Sequence, residues 1–267
     1  MAQQPIVTLT TDFGLSDHFV GTMKGVMLNI NPLLQFVDIS HAIASHDIFD
    51  GAFTIGLSYR YFPPHTIHLV IVDPGVGSSR RAVVASAGQH LFVAPDNGVL
   101  SLIYEHEAHV EVRHVTADHY FLKPVSNTFH GRDIFAPVAA WLSKGIELNK
   151  LGEPVTDYVK FTSPRPKRLD GGRVQGTVIK VDKFGNLITN LSPAEVPELF
   201  SANPPAFRLA INQQEISRLY TSYSEGKPSE IFAILGSSGF IEVGQNRASA
   251  SRSLQAGRGT EVIVSVG

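Results

Sequence analysis

The 267 residues contain no cysteine, so chemistry here falls to carboxylates, imidazoles, guanidinium groups, hydroxyls and backbone. Disulfides, thiolate metal sites, iron–sulfur clusters and a cysteine nucleophile are excluded. Reactive groups gather beside glycines in a few short stretches. Thr10-Thr11-Asp12-Phe13-Gly14 is followed by Leu15-Ser16-Asp17, and Asp73-Pro74-Gly75-Val76-Gly77-Ser78-Ser79-Arg80-Arg81 sets a carboxylate seven residues before a guanidinium. Phe129-His130-Gly131-Arg132-Asp133 supplies an imidazole. Later, Asp182-Lys183-Phe184-Gly185-Asn186 and Gly236-Ser237-Ser238-Gly239 offer carboxylate, amide, aromatic and hydroxyl groups.

Taken singly, each stretch also has an ordinary reading. The Asp73 segment lacks both the Lys-Ser/Thr ending of a P-loop and the third glycine of a dinucleotide fingerprint, and it reads as a turn whose glycines supply positive φ. Thr128 or Asp133 reads as a helix cap, with His130 in a surface loop. Asp182 to Asn186 reads as a hairpin connection. His65 and His68 flank a strand start, but their spacing fits no zinc site and there is no His-Glu-x-x-His. Gly236 to Gly239 does not form the Gly-x-Ser-x-Gly elbow of a serine hydrolase. No metal site is expected.

The elements that must position these groups follow from periodicity. Strands are expected at Ile6–Thr10, Phe36–Ile39 and Ile67–Val72, the last a continuous apolar run suited to a sheet covered on both faces. Between them, Phe19, Met23, Val26, Met27 and Ile30 form one helix face, with Ser16 as its cap. Ile48, Ala52, Ile55 and Tyr59 form a second, with Ser45 as its cap. Strands at Ala82–Ala87, Leu91–Val93 and Val110–Val115, a turn at Ala94-Pro95-Asp96-Asn97-Gly98 and helices over Val99–Glu107 and Asp133–Ser143 complete the first half. Alternating strands and helices predict an α/β domain with a mainly parallel sheet and right-handed crossovers. In such sheets ligands bind beyond the carboxyl ends of the strands, where Asp12, the Asp38–Asp47 region and Asp73 to Arg81 fall.

The polar stretch Ser163-Pro164-Arg165-Pro166-Lys167-Arg168-Leu169-Asp170-Gly171-Gly172 divides the chain. Residues 1–163 are expected as the α/β domain, 164–172 as a linker and 173–267 as a smaller antiparallel β-barrel. The strands of that barrel are expected at Val174–Val181, Leu187–Leu191, Phe207–Ile211, Ile231–Leu235, Phe240–Val243 and Glu261–Val266. With 22 basic against 24 acidic side chains, the formal net charge is −2, which gives no basis for binding nucleic acid or an anionic membrane. No apolar run approaches the ~18 residues of a membrane span. The Met1-Ala2-Gln3-Gln4-Pro5 start lacks the basic stretch of a secretory leader, so the expected location is cytoplasmic.

Together the stretches quoted above, with Val72-Asp73-Pro74-Gly75-Val76-Gly77 and Ala94-Pro95-Asp96-Asn97-Gly98, resemble the S-adenosyl-L-methionine (SAM) hydrolases that form adenosine. This family is also called SAM hydroxide adenosyltransferase and is related to the SAM-dependent fluorinase and chlorinase. The resemblance runs over nearly the whole chain. It implies a homotrimer whose active sites lie between the N-terminal domain of one chain and the C-terminal domain of its neighbour. It implies a catalytic triad at Asp73, Arg80 and His130. Asp12 would hold the ribose hydroxyls, Phe129 would pack near the sugar, and Phe184 and Asn186 would face the adenine. Asn246 and the backbone near Arg247 would lie at the adenine's outer edge, and Asp17, Asp182, Ser237 and Glu242 would bind the methionine end. SAM is then the substrate, adenosine a product, and no cofactor is required.

The chain departs from the halogenases where the nucleophile would sit. A halide loop like Tyr-Pro-Ala-Thr-Gly is replaced by Asp73-Pro74-Gly75-Val76-Gly77, His130 stands in place of a tyrosine, and the insertion near Gly88-Gln89 is absent. His46 replaces an aromatic and Arg247 a small residue. A halide would meet the Asp73 carboxylate, which disfavours halogenation. A SAM-dependent halogenase and a non-catalytic adenosine or SAM sensor remain the alternatives. The carboxylates Asp12, Asp17 and Asp182 suit a cationic, hydroxyl-rich ligand and would repel a polyphosphate.

Overall fold

The computed structural model describes residues 4–267; Met1 to Gln3, the start of the segment read for a leader, lie outside the described residues. Internal contacts divide the chain into one unit ending at Thr162 and another spanning Ser163–Gly267. No helix among the described residues is long and apolar enough to cross a membrane.

In the first unit the strands are β1 (Ile6–Thr11), β2 (Gln35–Ser40), β3 (Ile67–Ile71), β4 (Ala82–Ala87), β5 (His90–Pro95) and β6 (Val110–His114). They form one sheet in the order β2-β1-β3-β5-β4-β6. β2, β1, β3 and β5 run parallel, while β4 is antiparallel to both its neighbours. The helices are α1 (Phe19–Ile30), α2 (Ile48–Ser58), α3 (Ser101–His106) and α4 (Ala136–Ser143).

Strand periodicity sorts β3 between two cores. Ile67, Leu69 and Ile71 pack in one cluster with Met23 and Met27 of α1 and Ala136, Ala139 and Ala140 of α4. Val70 and Val72 face the opposite way, with Ile55 and Tyr59 from the α2 side and Ile103 of α3. Each such fully buried aliphatic chain contributes roughly 1.5–3 kcal/mol. After β1 the chain turns to β2 on one side, then passes back to β3 on the other. The sheet order therefore reverses between β1 and β3, and a crevice opens beyond their carboxyl ends.

Helix starts differ from the expected caps. α1 begins three residues beyond Ser16: its flanking residue is His18, without a side-chain cap, and the first helical bond runs from Thr22 N–H to His18 C=O. α2 is capped by Asp47, whose carboxylate accepts the Asp50 N–H at 3.0 Å, not by Ser45. The helix expected from Asp133 is preceded by a π-helical turn at Gly131–Phe135, where Ala136 N–H donates to Gly131 C=O. Pro137 has no N–H to offer the Asp133 carbonyl four residues back. That carbonyl instead accepts Leu122 N–H at 2.8 Å and docks the incoming loop.

The second unit holds β7 (Lys167–Arg168), β8 (Arg173–Val181), β9 (Leu187–Thr189), β10 (Phe207–Ile211), β11 (Gln214–Ile216), β12 (Leu219–Tyr220), β13 (Ile231–Leu235), β14 (Ile241–Gln245) and β15 (Glu261–Val266), with α5 at Ala250–Leu254. The path β11-β10-β15-β8-β9-β14-β13-β12, with β7 beside β8, curls into a half-barrel around Val174, Leu209, Val243 and Val264. Pairing is antiparallel except between β12 and β13. β7 falls inside the segment expected as a linker, and β11, β12 and α5 are additional to the expected elements.

Candidate active site

The triad residues meet in the first unit. Asp73 follows β3, and Arg80 precedes β4 by two residues. Arg80 Nε donates to Asp73 Oδ1 at 3.0 Å and Oδ2 at 3.1 Å, and its Nη2 also bonds Oδ2. The side chains are 5% and 10% exposed for Asp73 and Arg80, so the pair is sheltered from solvent screening. The same Nη2 lies 2.8 Å from His130 Nδ1. The Arg80 guanidinium sits 5.0 Å from the centroid of the Phe135 ring, on the π-helical turn that His130 precedes.

Two glycines make this approach possible. A Cβ on Gly77, where φ is +78°, would lie 2.2 Å from the Asn127 carbonyl oxygen, so the Asp73–Arg80 loop presses directly against the loop that carries His130. A Cβ on Gly131 would meet Met23 and Phe129 at about 3 Å.

The His130 loop is held from below by Asp133, which is 0% exposed. Its carboxylate accepts Ser126 N–H at 2.8 Å and two bonds from Arg132, at 2.6 and 3.0 Å. Arg132 in turn lies over the Phe129 ring. Burial, then the Arg80 charge, hold the His130 imidazole below its ordinary 6.5, with Asp73 and Asp133 opposing.

A cavity of about 120 Å³ opens beside the triad, lined by Asp73, His130, Phe129, Phe13, Phe19 and Val76 among others. Phe19 and Phe129 meet edge to face at 5.1 Å, and Phe13 closes on both. The sequence assigns neither Phe13 nor Phe19 to the site: Phe19 belongs to the apolar face of α1, whose spacing reports only burial, and Phe13 stands in the Thr10–Gly14 stretch without a role of its own.

Asp12 leaves β1 beside the end of β3, because Thr11 pairs with Ile71. Its Oδ2 accepts His46 N–H at 2.9 Å, and His46 adopts φ +66°. Asp17 is exposed in the turn before α1.

In the second unit, Asp182, Phe184 and Asn186 share the β8–β9 connection. Asp182 Oδ1 accepts Phe184 N–H at 2.9 Å and Asn186 N–H at 2.8 Å, while Oδ2 accepts the Asn186 amide at 2.8 Å. Gly185 supplies φ +87° and packs so tightly on Ser249 that no side chain fits. The hairpin reading therefore holds, and the turn it makes leaves Phe184 77% exposed.

Glu242 on β14 is 6% exposed. Tyr223 O–H donates to its Oε2 at 2.8 Å, and Ser238 O–H to Oε1 at 3.3 Å. Burial raises its carboxyl, the Tyr223 and Ser238 bonds lower it, and Asp182 adds like-charge repulsion. Gly244 lets Asn186 and Tyr223 pack over the same backbone. Ser237 is exposed, and its neighbour Ser238 makes the contact with Glu242. Asn246 donates its amide to Gly226 C=O, and Arg247 is exposed with φ +58°. Tyr223, in a serine-rich stretch, gave no signal in the sequence.

Among the described residues, no group of three or more His, Asp or Glu side chains is arranged to hold a metal ion.

Two family models match the chain. The SAM hydroxide adenosyltransferase N-terminal domain matches residues 7–152, and the SAM hydroxide adenosyltransferase C-terminal domain matches residues 176–263. An (R)-S-adenosyl-L-methionine hydrolase from Salinispora tropica is 34% identical over 272 residues, covering 100% of both chains. A fluorinase from an Actinoplanes species is more distant, 25% identical over 91% of this chain and 92% of its own. The crystal structure of an uncharacterized conserved protein from Thermotoga maritima superimposes with a TM-score of 0.90 at 34% identity, covering 97% of this chain and 99% of that one.

Proposed function

The chain belongs to the SAM hydroxide adenosyltransferase family, and from that premise we propose that it hydrolyses SAM to adenosine and L-methionine by in-line attack on the 5′ carbon. The observation that carries this reading is the hydrogen-bonded Asp73–Arg80–His130 cluster at the edge of an aromatic cavity.

The chemistry asks little of an enzyme beyond placement. Water oxygen bonds to C5′, the C5′–S bond breaks, and sulfur keeps the electron pair as the neutral thioether of methionine. The leaving group needs no acid, which is why no metal or organic cofactor is part of this proposal. What remains is to orient a water and take its proton. His130 Nδ1 accepts from Arg80, so a neutral His130 carries its proton on Nε2 and serves as a donor that aligns the water oxygen. Asp73 accepts the water's proton, and Arg80 fixes the carboxylate and stabilises developing hydroxide. As hydroxide and sulfonium neutralise each other, the apolar ring of Phe13, Phe19 and Phe129 lowers the barrier by keeping bulk water out.

In this reading Asp12 holds the ribose hydroxyls, and Phe129 packs near the sugar. Phe184 and Asn186 face the adenine, with Asn246 and Arg247 at its edge. Asp17, Asp182, Ser237 and Glu242 take the methionine end. We further propose a cytoplasmic homotrimer in which residues of the first unit of one chain and of the second unit of its neighbour share one substrate. A halide in place of water would face the Asp73 carboxylate, which weighs against the halogenase reaction of the more distant relatives.

The test is purified protein with SAM in halide-free buffer, followed by chromatography of adenosine. Many turnovers are expected, with loss in Asp73→Ala and with oxygen-18 from labelled water on the 5′ hydroxyl. No adenosine from wild type, or label absent from the 5′ position, rejects the mechanism. A single equivalent without turnover would support the sensor instead.

A further inference from the structure

The loop that carries Asp73 and Arg80 leaves the sheet at the end of β3 and re-enters at the start of β4, and β5 lies between those two strands. It therefore crosses over the carboxyl end of β5. The two residues that follow this strand, Asp96 and Asn97, come from the Ala94-Pro95-Asp96-Asn97-Gly98 stretch, to which the proposed reaction gives no role.

Each grips one end of the loop. Asn97 Nδ2 donates to the carbonyl of Val72, the residue before Asp73, at 2.8 Å. Its Oδ1 accepts Val99 N–H at 3.1 Å, so both ends of the amide are fixed. Across the loop, Asp96 N–H donates to the Arg81 carbonyl at 2.9 Å, extending the β4–β5 ladder beyond the Ala82–Pro95 pair. The Asp96 carboxylate takes Arg81 Nε at 2.8 Å and Nη2 at 2.7 Å on Oδ2, and Val159 N–H at 2.8 Å on Oδ1. Asp96 is buried, so these bonds are made away from competing water.

The gripped positions, 72 and 81, directly flank 73 and 80. The Asp73–Arg80 bonds tie the two side chains to each other, but they do not by themselves fix where the pair stands relative to the end of β5. We propose that Asp96 and Asn97 are positioning residues for the Asp73–Arg80 pair: by pinning the two ends of the loop to the end of β5, they set where Arg80 delivers its second bond, to His130 Nδ1. The kinetic consequence rests on the hydrolase reading; the geometric one does not.

The test uses two near-isosteric variants acting at opposite ends of the loop, so that one folded variant suffices. Asn97→Asp keeps the acceptor for Val99 and removes the donor to Val72. Asp96→Asn keeps an acceptor for Val159 and removes the charge on Arg81. Asp157→Ala removes the exposed partner of Arg81 and is expected to behave as wild type. In each braced-end variant kcat for adenosine release is expected to fall roughly 10- to 100-fold, the cost of about an ångström of misplacement, with KM for SAM within about twofold. Independently of turnover, the His130 imidazole, followed by NMR with 15N-labelled histidine, is expected to titrate at higher pH than in wild type as Arg80 slackens.

Wild-type kcat in a folded variant overturns the proposal. So does a loss of kcat with His130 titrating unchanged, or an equal loss in Asp157→Ala. If wild type releases no adenosine, the hydrolase reading fails and the His130 titration alone decides.

Discussion

Arg80 Nη2 and His130 Nδ1 stand 2.8 Å apart, and because a guanidinium only donates, Nδ1 of His130 is an acceptor whose ring proton resides on Nε2. Protonating Nδ1 would set two donors against each other beside a permanent cation. The depressed His130 pKa follows from the same geometry, through burial first and Arg80 second.

Adenosine release should therefore hold its rate as pH falls through 6.5, the ordinary value of a free imidazole. The acid limb of kcat/KM should appear below it, where protonated His130 breaks the Arg80 bond. A pH profile measured in halide-free buffer checks this, and an acid limb centred at or above 6.5 would contradict the assigned tautomer.

Arg80→Lys should cost roughly 100-fold in kcat, about 2.7 kcal/mol of transition-state stabilisation, with KM for SAM changed only a few-fold. An ammonium supplies the charge, but a compact point donor does not reproduce the planar fork that engages both Asp73 oxygens and His130. Steady-state kinetics decide it. Retention of more than half the wild-type kcat would mean that charge alone is sufficient.

These relationships differ in how far they are written in the chain. The apolar run Ile67–Val72 and the stripe through Ile55 and Tyr59 announce a sheet covered on both faces, since their period reports burial directly. Two- and three-residue strands such as Leu219–Tyr220 leave no period to read, and Ser16 has the residue type of a cap although the helix begins only at Phe19, behind an uncapped His18. Asp73, Arg80 and His130 are visible as motifs because glycines mark their turns. The grip of Asp96 and Asn97 depends on β5 lying between β3 and β4, a pairing across distant sequence that no local pattern encodes. Tyr223 is likewise placed by packing on Phe232 and Gly244 and by its bond to Glu242, contacts that its own serine-rich stretch does not encode.

Gly77→Ala should abolish adenosine release and lower unfolding free energy by more than about 2 kcal/mol. Positive φ alone costs roughly 1–2 kcal/mol for a residue with a Cβ, and the new methyl would collide with the Asn127 carbonyl. Chemical denaturation and kinetics report the two effects separately. Gly145→Ala, also at positive φ but with nothing near its Cβ, should lose stability only.

Glu242→Gln should melt higher than wild type at pH 7 yet bind SAM more weakly. Burial raises this carboxyl above its ordinary 4.5, so the folded protein bears the cost of keeping it ionised at neutral pH; a neutral amide removes that cost while still accepting from Tyr223. If Glu242 faces the methionine ammonium, the same change raises KM for SAM and spares adenosine affinity, measured by calorimetry. Equal weakening of both ligands would remove Glu242 from the methionine end.

His68 should govern a large part of the acid sensitivity of the first unit. Its ring is fully buried, bonded to Thr8 Oγ1 at 2.8 Å, 3.4 Å from His90 and stacked on Phe92, and burial followed by the neighbouring His90 pushes its pKa from 6.5 to about 3. The folded value lies below the unfolded one, so between those limits the unfolded chain holds a proton that the folded chain refuses. Stability is full above pH 6.5 and is lost as pH falls toward 3, at up to about 1.4 kcal/mol per pH unit. His68→Gln should be less stable at pH 7, having lost its stacking, but its unfolding free energy should fall less steeply between pH 6 and 4. Urea titrations across that range test it. A slope equal to that of wild type would show that His68 is not the group responsible.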